Sequence, residues 1–401
     1  MLNRVFKAFE YRDFRLMWAG ACVSSIGTWM QKLAQSWLVL EISGSPFLLG
    51  LDAFLGEIPI FLFSLVGGVV ADRMDRRYLL IVSQVVQMSC AFTLAALFAL
   101  NLVQVWHILT LSFIVGLAQA FGGPAYLALI PTLVRTEDLS NAIALNSIQF
   151  NLARVIGPVL GGLALTQLGA AWCFSLNGIS YVAVIFTLLA LHRRYCPAPS
   201  RETMLASMKQ GIRFIRKQGA MESLIALAFL MTMLGMPIIV FLPVFAKDVF
   251  SRGPDTYTLL LAVSGAGSVF GALVVAGLGG RRKQGRDALL IIVMLGVFMT
   301  GFALSGSLAV SCVFLFLAGG ALIGAFSLIS SLVQAITADE MRGRVMSVYN
   351  VAFRGGMPIG SLLSGSLIRE YSAPYVLAAN GILLLFLGVY FLAMRRKVSA
   401  L

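Results

Sequence analysis

Twelve long apolar stretches, separated by short polar breaks, run through the 401 residues, and each nears the ~20 residues that a helix needs to cross ~30 Å of hydrocarbon. Inside a bilayer no water remains to satisfy backbone N–H and C=O groups, so only helices and closed barrels span it. Barrel strands would show as short alternating segments, and the sequence has none of that pattern. Only 12% of the residues are charged, against 59% hydrophobic, whereas a soluble domain carries roughly 25% charged residues. The chain reads as an all-α integral membrane protein. Breaks at polar, Gly and Pro clusters predict spans near 16–40, 47–70, 78–99, 106–130, 141–168, 172–192, 220–246, 257–279, 288–306, 309–334, 345–368 and 373–394.

Charge placement orients these spans. With twelve of them both termini fall on one side, and that side receives 24 of the 30 Lys and Arg residues. Among them are Arg73, Arg76, Arg77, Arg193, Arg194, Arg281, Arg282, Lys283, Arg342, Arg344, Arg395, Arg396 and Lys397. The other side keeps Lys247, Arg252 and Arg369, while Lys32, Arg154 and Arg354 remain within spans. Positive loops mark the cytoplasmic face, so both termini are expected there, in a bacterial cytoplasmic membrane. This distribution accounts for the net charge of +13 without any nucleic-acid partner. The segment from Met1 to Arg15 is polar and basic, and the apolar run after it is too long for a signal core, so no cleavable signal is expected. Cys22, Cys90, Cys173 and Cys312 lie in spans and Cys196 in a basic segment. Their spacing suggests neither a disulfide framework nor a metal site. With His107 and His192 as the only histidines, no metal or other cofactor is expected.

One device occurs twice. Arg154 precedes Pro158 by four residues, and Arg354 stands in the same relation to Pro358. An ionised guanidinium is costly in hydrocarbon and points to a protein-lined or wet interior. The proline displaces the carbonyl four residues earlier, that of the arginine itself. Repetition at one offset suggests a duplicated half, as in many transporters. The division is then an N-terminal bundle over 1–192, a cytoplasmic linker over 193–219 and a C-terminal bundle over 220–401. Within the linker, residues 204–217 form either a short interfacial helix, with apolar positions at Leu205, Met208, Ile212 and Ile215, or a plain basic connection. The arginines either cap freed carbonyls or meet substrate.

The segment 67–77 carries small residues, then Asp72 at the membrane edge and basic residues in the turn. Asp72 can accept from a helix N-terminus or from an arginine on the other half. It resembles the signature loop of the major facilitator superfamily, with matches at Gly68, Asp72, Arg73, Arg76 and Arg77; Asp75 stands where that family usually has glycine. Gly157, Pro158, Gly161 and Gly162 resemble the fifth-helix motif of its antiporters, with Ala144 and Ala153 in place of the upstream glycines. Segments 14–18, 26–32, 123–126, 142–147 and 342–347 are similar to the subfamily that contains the enterobactin exporter and related drug-efflux proteins. The resemblance implies two pseudo-symmetric six-helix bundles, a midplane substrate site between them, and a gate at Asp72 that engages Arg342 or Arg344. It also implies that Gly116 stands where proton-coupled drug exporters often place a fourth-span arginine.

Other residues must then carry proton coupling. Of the 17 acidic residues, only Asp52 and Glu57 lie well inside a span. Lys32 and Glu57 are both expected ~14 Å from the outer surface, by the 1.5 Å rise of antiparallel helices. Such a pair is either a proton or substrate switch or a fixed ion pair. Asp52, more than a turn nearer the outside, is expected to face water. Span-embedded charges leave one positive in surplus, suited to anionic or amphiphilic cargo, and abundant Phe and Met suit an adaptable cavity. The expected function is alternating-access export of an amphiphilic, siderophore- or drug-like molecule by a monomer. Its partners are then protons, membrane lipid and the cargo. The chain has no phosphate-binding loop and no catalytic constellation, so it is not expected to be an enzyme. A translocator of lysophospholipid-like cargo with the same fold is the alternative.

Overall fold

A computed structural model describes residues 6–191, 204–277 and 284–394, and every long element among them is an α-helix. In chain order these are α1 (Arg12–Ser43), α2 (Pro46–Ala71), α3 (Arg76–Ala99), α4 (Val105–Leu133), α5 (Leu139–Gln167), α6 (Ala170–Leu189), α7 (Met204–Lys217), α8 (Gly219–Gly235), α9 (Pro254–Gly277), α10 (Gln284–Leu304), α11 (Leu308–Ala335), α12 (Asp339–Glu370) and α13 (Ala373–Met394). After α8 the helical path continues in short pieces to Val249. Pro237 and Pro243 withhold the backbone donors that a regular helix would use there. The last piece is a π-turn closed by the Phe250 amide on the Phe245 carbonyl.

Apart from α7, these helices fall on the twelve expected spans. Ten of the segments are long and apolar enough to cross a membrane. The other two, α1 and α12, have 32 residues each, so length is no obstacle. Their polarity sets them apart: α1 carries Lys32 and Glu41 besides its first-turn charges, and α12 carries Arg342, Arg344, Arg354 and Arg369. Arg193, Arg194, Arg281, Arg282, Lys283, Arg395, Arg396 and Lys397 lie outside the described residues. So do Cys196, His192 and both chain ends, and the side chains of Leu205 and Met208.

The chain divides into two compact units. One comprises Met1–Ser43 with Leu55–Arg201, the other Gly44–Phe54 with Glu202–Leu401. In the first, α1 packs on α5 and α6, and α3 packs on α4 and α6. In the second, α8 packs on α12, and α10 packs on α11 and α13. Counted by spans, α8–α12, α10–α11 and α10–α13 each repeat a pairing found six spans earlier. The two units are built to one plan.

Glycine sets the depth of these pairings. Helices in lipid gain little from burying apolar surface against each other, so close backbone approach carries more of the association. In the first unit Gly157 faces Trp29 and Gly161 faces Met30, where an added Cβ would lie 2.9 Å from the Met30 Cα. In the second, Gly356 faces Thr232, and Gly360 faces Met233 with the same 2.9 Å clearance to its Cα. The α1–α5 seam is thus repeated at α8–α12, with the proline of each pair one residue after Gly157 and two after Gly356.

Residues 204–217 take the helical alternative. Gly211 and Ile215 of α7 are buried, while Lys209, Arg213, Arg216 and Lys217 are exposed. A Cβ at Gly211 would come 2.9 Å from the Arg344 carbonyl, so α7 lies against the first turns of α12. In the first unit the N-terminal turn Lys7–Glu10 is clamped by the buried Asp138. That carboxylate pairs with Lys7 at 3.0 Å and accepts from the Tyr11 hydroxyl at 2.7 Å. The same hydrogen bonds raise the proton affinity of Lys7 and of Tyr11 above their ordinary values.

A pair of glycines on one helix tests this packing argument. Gly360→Ala drives a Cβ into the Met233 backbone and is expected to cost about 1–3 kcal/mol, as overpacking does. Gly343, also on α12, has open space around its missing side chain. Gly343→Ala is therefore expected to be neutral or to stabilise by up to about 1 kcal/mol through helix propensity. Thermal unfolding of both variants in detergent checks the contrast.

Candidate functional site

The ionisable groups inside the first unit converge on one indole. Trp29 and Lys32 lie one turn apart on α1, Arg154 lies on α5 and Glu57 on α2. The Lys32 ammonium stands 5.4 Å from the Trp29 ring centroid, and the Arg154 guanidinium carbon 5.8 Å from it. Both are within the range of cation–π attraction, about 6 Å. Lys32 Nζ also lies 3.6 Å from a Glu57 carboxylate oxygen, the lysine side chain 54% and the glutamate 20% exposed. The structure therefore brings together two residues separated by a turn between antiparallel helices, as equal depth allows. Gly157 supports the arrangement, because α5 rests directly on the Trp29 Cβ and the Ile26 carbonyl there. Arg154 stands one helical turn before Gly157.

Asp52 differs from its sequence-based expectation. It is 7% exposed, buried rather than facing water, and belongs with the second unit through residues 44–54. In that region α2 lies against α12: a Cβ at Gly50 would meet the Gly365 Cα at 3.2 Å and the Phe241 ring at 3.3 Å. Close packing of this stretch removes Asp52 from solvent. Arg354, by contrast, is exposed on α12, with Pro358 buried one turn on.

The turn after α2 is held by its basic residues. Asp72 pairs with Arg76 at 3.6 Å. Arg76 also donates to the Ala128 carbonyl of α4 at 2.8 Å. Arg77 donates to the Leu191 and Leu189 carbonyls at the end of α6, at 2.8 and 2.7 Å. Asp75 caps α3 from an extended backbone conformation, accepting from the Arg77 amide at 2.9 Å. The turn needs no left-handed residue at that position, so aspartate serves where the resembled motif has glycine. Gly68 contributes its carbonyl to the Asp72 amide at 3.0 Å, and Arg73 is exposed. In the second unit Arg342 pairs with Asp339 at 2.5 Å, and Arg344 reaches the Met341 sulfur at 3.6 Å.

Gly116 has a packing reason to be glycine. A Cβ there would collide with the Gly56 carbonyl and stand 3.2 Å from the Pro59 ring. An arginine side chain has no room at that point of the α2–α4 seam.

A neutral hydrogen-bonded lattice inside the first unit escaped the sequence reading, which followed charges. Gln87 is 1% exposed and accepts from Gln119 at 3.0 Å and from the Tyr181 hydroxyl at 3.2 Å. The Tyr181 and Thr28 hydroxyls lie 3.2 Å apart. Asn177 donates to Gln31 at 2.6 Å, and Gln35 donates to Ser112 at 2.8 Å. Polar side chains at helical spacing within apolar runs, Gln31 with Gln35 and Asn177 with Tyr181, are the signal that would have found it. Among the described residues no group of His, Cys, Asp and Glu is placed to hold a metal ion.

Two units of membrane-spanning helices built to one plan, with ionisable side chains gathered inside, define a polytopic membrane transporter. The chain belongs to the transmembrane secretion effector family (MFS_3) of the major facilitator superfamily, whose family model matches residues 4–400. It is 23% identical over 394 residues to macrolide efflux protein A of Streptococcus pyogenes, covering 95% of this chain and 96% of that protein. It is 28% identical over 392 residues to the enterobactin exporter EntS of Shigella boydii, covering 94% and 91%. The staphyloferrin A transporter of Staphylococcus aureus is 23% identical over 384 residues, covering 93% and 94%. The fold also matches the solved nucleoside transporter NupG with a TM-score of 0.80 at 12% identity, covering 96% of this chain and 99% of that one.

The buried lattice predicts a specific pattern of stability. Gln87→Leu leaves the Gln119 amide without its acceptor and the Tyr181 hydroxyl with Thr28 alone, and is expected to cost about 1–3 kcal/mol. Adding Gln119→Leu removes the orphaned donor and is expected to restore part of the loss. Thermal unfolding of the single and double variants measures it.

Proposed function

We propose that this transporter exports an amphiphilic small molecule by alternating access, driven by the proton gradient across a bacterial cytoplasmic membrane. Both termini and residues 193–219 face the cytoplasm in this reading, and the transporter works as a monomer. The observation that carries the coupling is the Lys32–Glu57 pair, 3.6 Å apart inside the first unit. Intramembrane ionisable residues are functional by default. Desolvation disfavours an ionised carboxyl, whereas a nearby ammonium favours it. A conformational step that separates the two groups therefore makes the carboxyl take a proton, and their reunion expels it. Relatives named for the export of siderophores and macrolides support the direction and the cargo size.

Glu57→Gln tests the coupling in proteoliposomes with an imposed proton gradient. Driven export should vanish while cargo binding and downhill exchange stay near wild type. A structural pair predicts another result: loss of stability in Glu57→Gln, then recovery of both stability and driven transport in the Lys32→Met/Glu57→Gln double variant. That recovery would remove Glu57 from the mechanism. Movement of lysophospholipid in place of a water-soluble cargo would assign the protein to lipid translocation instead.

Asp72 supplies a further check on the cycle. We assign it, with Arg342 and Arg344, to the cytoplasmic gate, so Asp72→Asn is expected to slow transport at least several-fold without loss of folded protein. Wild-type turnover in that variant would take Asp72 out of the gate.

A further inference from the structure

Arg154 is a cation without a counter-ion. No carboxylate of the described residues lies within 4.0 Å of its guanidinium, and the group that meets its charge is the Trp29 ring at 5.8 Å. The arginine does not cap the carbonyl displaced by Pro158, since its side chain makes no hydrogen bond to any described residue. It is half-buried, one helical turn before the close-packed Gly157. Lys32 approaches the same ring at 5.4 Å, but its charge is matched by Glu57. The cluster of Trp29, Lys32, Glu57 and Arg154 thus carries one uncompensated positive charge beside an aromatic surface, and such a charge inside a bilayer is costly until something pairs it.

We propose that Arg154 and Trp29 form a subsite for an aromatic acid: a carboxylate, or an acid of like geometry, attached to a planar ring. This rests on the exporter reading and names the chemical class of its cargo. The guanidinium offers a planar fork that binds a carboxylate through two parallel hydrogen bonds. A ring attached to that carboxylate then lies against the indole, which is half-buried and fixed from behind by Gly157. A cationic ligand is repelled here, because the one carboxylate in reach is engaged by Lys32. The repeat in the second unit lacks the aromatic half of the device: Gly356 packs on Thr232 where Gly157 packs on Trp29.

Three isosteric probes test the subsite on the full-length protein in zwitterionic nanodiscs: 2-naphthoate, 2-naphthylmethanol and 2-naphthylmethylammonium, each titrated calorimetrically against empty discs. The wild type is expected to bind the carboxylate at least ten-fold more tightly than the alcohol, and the ammonium least. Arg154→Gln should erase the preference for the acid, Arg154→Lys should keep a reduced one, and Trp29→Leu should weaken the carboxylate and the alcohol together. Equal binding of the three probes by the wild type overturns the proposal even if a variant fails to fold. An acid preference untouched by Arg154→Gln overturns it as well. Vesicle transport separates this outcome from the exporter reading. Carboxylate binding with no export of any cargo keeps the subsite and ends the exporter. Export of a cationic cargo without carboxylate preference keeps the exporter and ends the subsite.

Discussion

Helices surrounded by hydrocarbon cannot be held together by the exclusion of water, because lipid tails are as apolar as leucine. Close backbone approach and internal hydrogen bonds must do that work, and both units depend on them. Gly157 and Gly161 let α5 settle on α1, and Gly356 and Gly360 let α12 settle on α8. Further along the second unit, Gly267 and Gly271 bring α9 against the Phe316 and Gly320 backbone of α11. The arrangement of ionisable groups follows from these seams. Trp29 and Arg154 meet because α5 carries no side chain at Gly157.

The two units use the same plan with different chemistry inside. The first holds amides and hydroxyls in a connected lattice, together with the charged cluster on Trp29. The second relies more on glycine contacts and on Ser and Thr hydroxyls bonded to backbone carbonyls, as Ser268 is to Ser264 and Thr300 to Gly296. An interhelical side-chain pair joins Asn380 to Ser364 at 3.0 Å, between α13 and α12. Duplication supplied the frame, and divergence of a few positions gave one copy the polar equipment.

Much of this frame was legible in the sequence. Span positions follow from the length of the apolar runs, and the duplication from Arg154–Pro158 and Arg354–Pro358. The equal depth of Lys32 and Glu57 on adjacent antiparallel helices follows from rise per residue, and the structure supplies the rotation that turns them toward each other. What the sequence hid depends on rotation about each helix axis. Asp52 is charged and more than a turn nearer the outside than Glu57, yet its face of α2 turns into packed protein. Gly116 read as a missing arginine, whereas Gly56 and Pro59 leave no space for one. Asp75 read as a departure from a glycine turn, though it is a helix cap that needs only an extended backbone. Trp29 gave no signal of its own, because an aromatic in a greasy span is unremarked until its neighbours are placed around it.

The neutral lattice has an electrical consequence. Inside a membrane, a continuous chain of exchangeable groups can relay protons from one side to the other. Hydroxyls such as those of Tyr181 and Thr28 can hand a proton on, but the amide of a glutamine offers its carbonyl as acceptor and its N–H groups as fixed donors. Gln87 and Gln119 stand in the middle of that lattice. Gln87 accepts from Gln119 and Tyr181 and donates to Ser83 without carrying a titratable proton. The lattice ties these helices together with neutral amides at its centre rather than with carboxylates.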